Sequence, residues 1–189
     1  MRPIDPLMEE HRVIERMVGI MRRESAHLRE ASVVDWLFVD AVVDFFRTYT
    51  DRTHHGKEEG ILFRDLAGKR LSPEDRAAMD LLIEGHRFAR RTVAELDEAG
   101  AAYRQGRYTA LETILGRINA LVQFFPMHIR HEDDSFFPAS PAYLAPQEQQ
   151  AMLAEFWDWD RSMIHEKYRA IVDDLARTLE TIPQAPRPR

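Results

Sequence analysis

The sequence predicts an all-α protein, an up-and-down bundle of four long helices with one additional C-terminal helix. Apolar residues recur at steps of three and four along most of the chain, which is the period of an amphipathic helix. No segment alternates between apolar and polar residues for long enough to predict a strand. The connections between the helical segments are short, which favours antiparallel neighbours in a bundle.

The composition limits both the class of protein and its chemistry. The 189 residues are 44% hydrophobic and 31% charged, which is typical of a globular chain. The net charge of −6 argues against a nucleic-acid or anionic-membrane partner. The absence of cysteine excludes disulfides, iron–sulfur clusters and thiolate zinc sites. Because no apolar run approaches the ~18 residues of a membrane span and the N-terminus lacks an apolar signal segment, we expect a cytoplasmic protein.

The first two helices each place a histidine on an apolar face. Helix one should span residues 5–30, and His11 lies within its apolar stripe. Helix two should span residues 32–68. Its apolar face leads to His54 and, four residues later, to Glu58, because residues four apart lie on the same side of an α-helix.

Helices three and four repeat this arrangement. Helix three should span residues 73–105, and it carries His86 on its apolar face. A capping box at residues 109–112 should start helix four. The apolar face of helix four carries His128 and Glu132.

We expect a single domain over residues 1–180. Its four-helix bundle should cover about residues 5–138. The additional helix, over about residues 146–180, would cap the bundle or pair with another copy in a homodimer. Residues 181–189 should form a flexible tail, because they are rich in proline and arginine.

Two stretches of the chain echo each other. His54 is followed after four residues by Glu58, and His128 is followed after four residues by Glu132. In both copies a second acid comes next, and an apolar pair follows. The second acids are Glu59 and Asp133, and the apolar pairs are Leu62-Phe63 and Phe136-Phe137. Each copy can therefore direct an imidazole and a carboxylate to one place.

The histidines and carboxylates on the predicted core faces form a candidate metal site. Its residues are His11, His54, Glu58, His86, His128 and Glu132. Inward-facing ligands from four helices are how bundle proteins build metal sites. Two imidazoles per metal, two bridging carboxylates and one bridging oxygen would give each of two metals five ligands and one open position. This mixed ligand set suits iron, manganese or zinc better than magnesium.

Simpler interpretations exist for each residue alone. A single His–Glu pair at this spacing is usually a surface contact, and a single buried histidine is usually a hydrogen-bonded core residue. The coincidence of two similar pairs with two more histidines favours the metal site, because burying four imidazoles and two carboxylates without a metal is costly.

Several neighbouring residues stay open as members of the site. His55 with Glu59 is a rival pair, but both the echo and the apolar stripe favour His54 with Glu58. Glu59, Asp133 and Glu15 are either solvated charges or groups that hold the ligands from outside. His165 is a candidate for a fifth imidazole.

On these residues the chain resembles the hemerythrin-like family, also called the HHE cation-binding domain. The resemblance covers roughly residues 5–138. It implies a bundle of hemerythrin type around a non-haem di-iron centre, with bridging carboxylates and an oxygen bridge, held by the six residues named above. Manganese or zinc could replace the two iron ions.

The sequence departs from the oxygen carriers of that family. Those proteins have a second histidine four residues after the helix-three histidine, whereas this chain has Arg90 at that spacing from His86. They also have an aspartate five residues after the helix-four histidine, whereas Glu132 follows His128 by four. A set of four histidines and two carboxylates is closer to the iron-centre repair proteins, although those carry a cysteine-bearing domain.

Three classes of function are compatible with these features. The resemblance implies a protein that binds or reacts with a small oxidant, namely oxygen, hydrogen peroxide or nitric oxide, in sensing, storage or stress defence. An enzyme is the second class, either catalase-like or nitric oxide-reducing; iron-centre repair or iron handling is a further alternative. A metal-free helical interaction module is the third.

Overall fold

The protein is all-α over the residues that the computed structural model describes, 2–31, 33–161 and 165–181, and the predicted fold class is confirmed. The α-helices are α1 Ile4–Ala31, α2 Trp36–Asp44, α3 Arg64–Ala67, α4 Pro73–Arg104, α5 Ala110–His131, α6 Phe137–Ala139, α7 Pro146–Arg161 and α8 His165–Thr181. The π-helices are π1 Phe45–His55, π2 Glu58–Phe63 and π3 Glu132–Phe136, and Ser140–Tyr143 form a 3₁₀ turn. None of the described helices has the length and hydropathy to cross a membrane.

The long helices pack in a closed ring. Helix α1 packs against α5, α5 against α4, α4 against α2, and π1 returns to α1. The predicted additional C-terminal helix is described as two helices: α7 packs against π2, and α8 packs against α1 and π1. Residues 162–164 between α7 and α8, and most of the predicted tail, lie outside the described residues.

The helix starts follow the capping chemistry of the sequence with two differences. Helix three begins at residue 73 as predicted, and Ser72 caps it as α4, where the Ser72 hydroxyl accepts a hydrogen bond from the backbone N–H of Asp75 at 3.0 Å. The predicted start of helix two, Ser32, is outside the described residues, and the cap is Asp35, which accepts hydrogen bonds from two backbone N–H groups. The predicted capping box at Thr109 is wrong, because Thr109 has helical backbone angles and makes no capping hydrogen bond.

Helix two departs from α-helical geometry where the histidines lie. In π1 and π2 a backbone hydrogen bond spans five residues instead of four, so each turn is wider. The N–H of Gly56 bonds to the carbonyl of Asp51 in this way. Trp159 of α7 stabilises the widened segment, since its indole N–H donates to the carbonyl of Arg52 at 3.1 Å. Its ring lies so close to Gly56 that a Cβ there would be 2.6 Å from it.

A polar layer separates two apolar clusters inside the protein. One cluster contains Met17, Phe45, Leu96 and Leu121, and the other contains Leu7, Leu62, Leu66, Leu82 and Phe137. Along each helix, the histidine that the sequence predicted as a metal ligand lies between residues of one apolar cluster and residues of the other. His11, for example, follows Leu7 of one cluster and precedes Ile14 of the other. The apolar clusters therefore enclose the histidines from both sides.

We predict that Gly56→Ala lowers the free energy of unfolding by about 1–3 kcal/mol, because the added methyl group overlaps the Trp159 ring and one of them must move. Urea denaturation measures this change. Gly116→Ala is the matched control: a Cβ at Gly116 meets nothing within 4 Å, so it should stabilise the protein by about 0.5–1 kcal/mol. Equal stabilisation by both substitutions would contradict the proposed role of Trp159.

Candidate metal centre

Seven side chains converge in the polar layer. They form two adjoining groups: His11, His54, Glu58 and Glu132 in one, and His55, His86 and His128 in the other. Within each group the candidate ligand atoms lie within 4.8 Å of one another, and all seven side chains are buried. The structure thus brings together the six residues that the sequence singled out and adds His55 to them.

Glu58 and Glu132 each face both groups of imidazoles. One oxygen of Glu58 is 3.4 Å from Nε2 of His54, and the other is 3.3 Å from Nε2 of His86. One oxygen of Glu132 is 3.2 Å from Nε2 of His11, and the other is 3.2 Å from Nε2 of His128. Both carboxylates therefore lie between the two groups of imidazoles, with one oxygen towards each group.

The donor atoms are better placed to bind a metal ion than to form hydrogen bonds with one another. Nε2 of His11, His86 and His128 and both oxygens of Glu58 and Glu132 are buried and make no hydrogen bond of acceptable geometry with any described residue. Unpartnered buried polar atoms are rare because they are costly. Two atoms each about 2.1 Å from one metal, at right angles, lie about 3.0 Å apart, which is close to the separations above. A divalent cation would satisfy these atoms.

Three of the imidazoles are held from outside by carboxylates. Nδ1 of His11 lies 2.7 Å from Asp133, and Nδ1 of His86 lies 2.7 Å from Glu59. Nδ1 of His54 lies 3.0 Å from Glu10. When a carboxylate accepts the Nδ1–H of an imidazole, Nε2 is left with its lone pair and its direction is fixed, which is the usual arrangement behind metal-binding histidines.

Of the residues left open by the sequence, Glu59 and Asp133 are these outer carboxylates. Glu15 is not, because it is half exposed and pairs with Arg12 at 2.8 Å. The sequence interpretation overlooked Glu10, although its spacing from Leu7 and Ile14 puts it on the core face of α1 and could have indicated its role. The side chain of His165 lies outside the described residues.

His55 also faces the interior, within the π-helical segment π1. In an α-helix it would lie about 100° from His54, and for that reason the sequence favoured His54 alone. The wider turn of π1 allows both consecutive histidines to be buried, at 1% exposure each. The ring of His55 stacks on that of His86 at 3.8 Å between centroids. The α-helical period puts His55 off the apolar face, so the sequence predicted it only as a rival to His54 and not as an additional member of the site.

Aromatic rings and a glycine complete the enclosure. Phe137 stacks on His11 with 5.6 Å between ring centroids, and Phe63 stacks on His86 at 5.9 Å. His128 packs against Gly85, where a Cβ would be only 2.8 Å from Nδ1 of the imidazole. These contacts limit the rotation of the imidazoles and exclude water from that side of the layer.

Arg90 takes part in the site from outside. It donates to Asp51 at 2.6 Å and to Glu59 at 2.7 Å. Arg90 therefore orients the carboxylate that holds His86. Although burial opposes it, the hydrogen bonds from His86 and Arg90 lower the pKa of Glu59 below its ordinary value.

The charged groups of the layer shift one another's pKa values. Burial alone would lower the pKa of His11, but Asp133 and Glu132 outweigh burial and raise it to about 10. The pKa of His86 is likewise raised well above 6.5, against burial, by the surrounding carboxylates. Burial and the neighbouring imidazoles lower the pKa of His55 well below 6.5. Against burial, the imidazoles around Glu132 hold its pKa well below 4.5.

The model of the hemerythrin HHE cation-binding domain family matches residues 2–140 of the chain. The chain belongs to this family. The match includes every one of the seven residues and both copies of the sequence echo. No curated protein and no solved structure matches the chain. As a hemerythrin HHE domain the protein is a metal-cation-binding protein, and the two groups of histidines and glutamates are where it could hold the metal.

We predict that this HHE domain, freed of metal with a chelator, is most stable near pH 6.5. Above that pH the unfolded state has lost the protons that folded His11 and His86, whose pKa values are raised, still hold. Folding must then take up protons, so stability falls as the pH rises towards about 10. Below pH 6.5 the unfolded state binds a proton at His55 that the folded state does not bind. Below about pH 4.5 the same holds at Glu132, so stability again falls as the pH falls. Melting temperatures measured from pH 4 to 10 would show the maximum, and a continued rise between pH 7 and 9 would contradict the assignment.

Lys57 lies beside the candidate metal site, where it shares the carboxylate of Glu10 with His54. Lys57 is fully buried and forms ion pairs with Glu10 and with Asp160, the latter at 2.7 Å. Lys57→Met should lower the free energy of unfolding by about 3–5 kcal/mol, because it removes the cation from buried carboxylates. Lys69→Met is the control, since Lys69 pairs with Glu148 at a partly exposed position and should cost less than about 1 kcal/mol. Similar losses in urea denaturation would count against the buried network.

Proposed function

We propose that the protein is a non-haem di-iron protein that binds or reacts with a small oxidant, namely oxygen, hydrogen peroxide or nitric oxide. The observation that carries the proposal is the placement of Glu58 and Glu132, each with one oxygen towards either group of imidazoles. Two carboxylates so placed can hold two metal ions side by side. Facing helices of a bundle supply such ligands in known di-iron proteins.

The two metal positions would have unequal ligand sets. His11 and His54 would serve one position, with an oxygen from each glutamate. His86, His128 and His55 would serve the other, again with both glutamates. Nδ1 of His55 lies on the side of Asp51, at 3.6 Å, so Nε2 is the nitrogen that we assign to the metal. The first position would then have fewer protein ligands and more room for a small molecule.

The chemistry of the donors supports iron as the metal. Imidazole nitrogen and carboxylate oxygen together suit iron, manganese and zinc, whereas magnesium and calcium prefer oxygen alone. Bound iron would supply electrons and an open coordination position for the oxidant. The carboxylates behind His11, His54 and His86 would keep these imidazoles deprotonated at Nε2 and correctly oriented. Phe63 and Phe137 would keep water from the imidazoles on which they stack.

We predict that the protein produced with iron contains about two iron ions per chain, and that the double variant His54→Ala/His128→Ala contains less than about half an ion, because one imidazole is lost from each position. Metal analysis measures the iron content. Absorption spectra recorded before and after addition of peroxide, oxygen or nitric oxide should change in the parent protein only. A spectral change that reverses on degassing indicates binding, and consumption of peroxide or nitric oxide indicates turnover.

His131→Ala is the matched control for this experiment. His131 lies three residues after His128, is only half-buried and belongs to neither group of candidate ligands. Its substitution should leave the iron content and the spectra unchanged. Less than about half an iron ion in the parent protein, with the fold intact, would refute the di-iron proposal.

A further inference from the structure

A cleft lies directly beside the metal centre. It has a volume of about 220 Å³ and opens between helix two, α4 and α5. Phe46, Ala89, Val93 and Phe125 form its apolar walls, and His55 separates it from the centre. The cleft is thus one imidazole ring away from the groups that would hold metal.

Two of the residues that line the cleft each carry a buried polar atom with no hydrogen-bond partner among the described residues. These atoms are Oγ1 of Thr50 and Nδ1 of His55, and both side chains are 1% exposed. A helical threonine commonly bonds back to a carbonyl of the preceding turn. Thr53 and Thr92 do so, at 2.9 Å each, whereas Thr50 does not. Buried polar atoms left in this way indicate a ligand that supplies the missing hydrogen bonds.

The charges around the cleft are already paired. Arg90 is bound to Asp51 and Glu59, and Arg47 lies 2.9 Å from Asp97. A charged ligand would have to displace one of these carboxylates or arginines. A neutral ligand needs only the hydroxyl of Thr50 and the ring nitrogen of His55.

The size and the walls of the cleft define the ligand further. An engineered apolar cavity of about 150 Å³ holds benzene, so this cleft can hold a benzene ring with a substituent. Phe46 and Phe125, which both line the cleft, stack on each other at 4.9 Å between ring centroids. A hydroxyl group both donates and accepts, as the pair of Thr50 and His55 requires.

We propose that the cleft is a binding site for small neutral phenols, with the ring against Phe46 and Phe125 and the hydroxyl bonded to Thr50 and His55. This proposal goes beyond the di-iron function and does not depend on it, because protein atoms alone form the cleft. The bound ring would lie against the imidazole that we assign to the more crowded metal position.

Titration calorimetry with phenol tests the proposal on both chelator-treated and iron-loaded protein. We expect phenol to bind both forms with a Kd of about 1 mM or tighter, a reasonable affinity for so small a ligand. Thr50→Val keeps the shape and removes the hydroxyl, and should weaken binding about fivefold. Thr48→Val is the matched control, since Thr48 is half-buried on the same helical segment but outside the cleft, and should leave the affinity unchanged.

Filling the cleft provides an independent test. Ala89→Phe should abolish phenol binding, provided that circular dichroism shows an intact fold, and Thr50→Val serves if that variant does not fold. Benzene should bind more weakly than phenol to the parent protein. Failure of phenol to bind either form, or equal binding by the parent and the Thr50→Val variant, would overturn the proposal. Because chelator-treated protein is one arm, a failure of the metal site does not affect this result.

Discussion

The structure depends on the burial of two carboxylates, Glu58 and Glu132, neither of which is exposed to solvent. Such groups cost several kcal/mol each unless opposite charges or hydrogen-bond donors surround them. Opposite charges alternate outwards from both glutamates. From Glu132 the order is His11, Asp133 and Arg12; from Glu58 it is His86, Glu59 and Arg90, and also His54, Glu10 and Lys57. Each cation in turn meets a further carboxylate, namely Glu15 for Arg12, Asp51 for Arg90 and Asp160 for Lys57, so the charges of the layer are compensated well beyond the two glutamates.

The two similar sequence segments, which begin at His54 and His128, play the same structural role at two places in the site. In the first copy, Glu59 bonds to His86 and Phe63 stacks on it. In the second copy, an acid and a phenylalanine at the same spacing act on His11. The second acid and the aromatic residue recur in the sequence because each copy orients a histidine of another helix in addition to its own. The repetition is broken at His55, whose counterpart in the second copy is Ile129.

The fold and most of the site could be predicted from spacing, because spacing determines which face of a helix a residue occupies. His54 and Glu58 were found in this way. His55 was not chosen, because an α-helical period puts it off the apolar face. The spacing of residues gives no sign that helix two widens there, where Trp159 contacts it from more than a hundred residues away. Glu10 was missed since a charged residue within an apolar stripe has no evident partner until Lys57 and His54 are placed beside it.

The π-helix connects these features. Each residue of a π-helix turns by less than the 100° of an α-helix, which brings the direction of His55 closer to that of His54, and His55 stacks on His86. Such a turn leaves backbone carbonyls poorly paired, and Trp159 compensates by donating to Arg52. Gly56 permits this contact because it has no side chain. The same widening places His55 at the wall of the apolar cleft. The contact with Trp159 of α7, the stacking of His55 on His86 and the wall of the cleft therefore all belong to one widened segment of helix two.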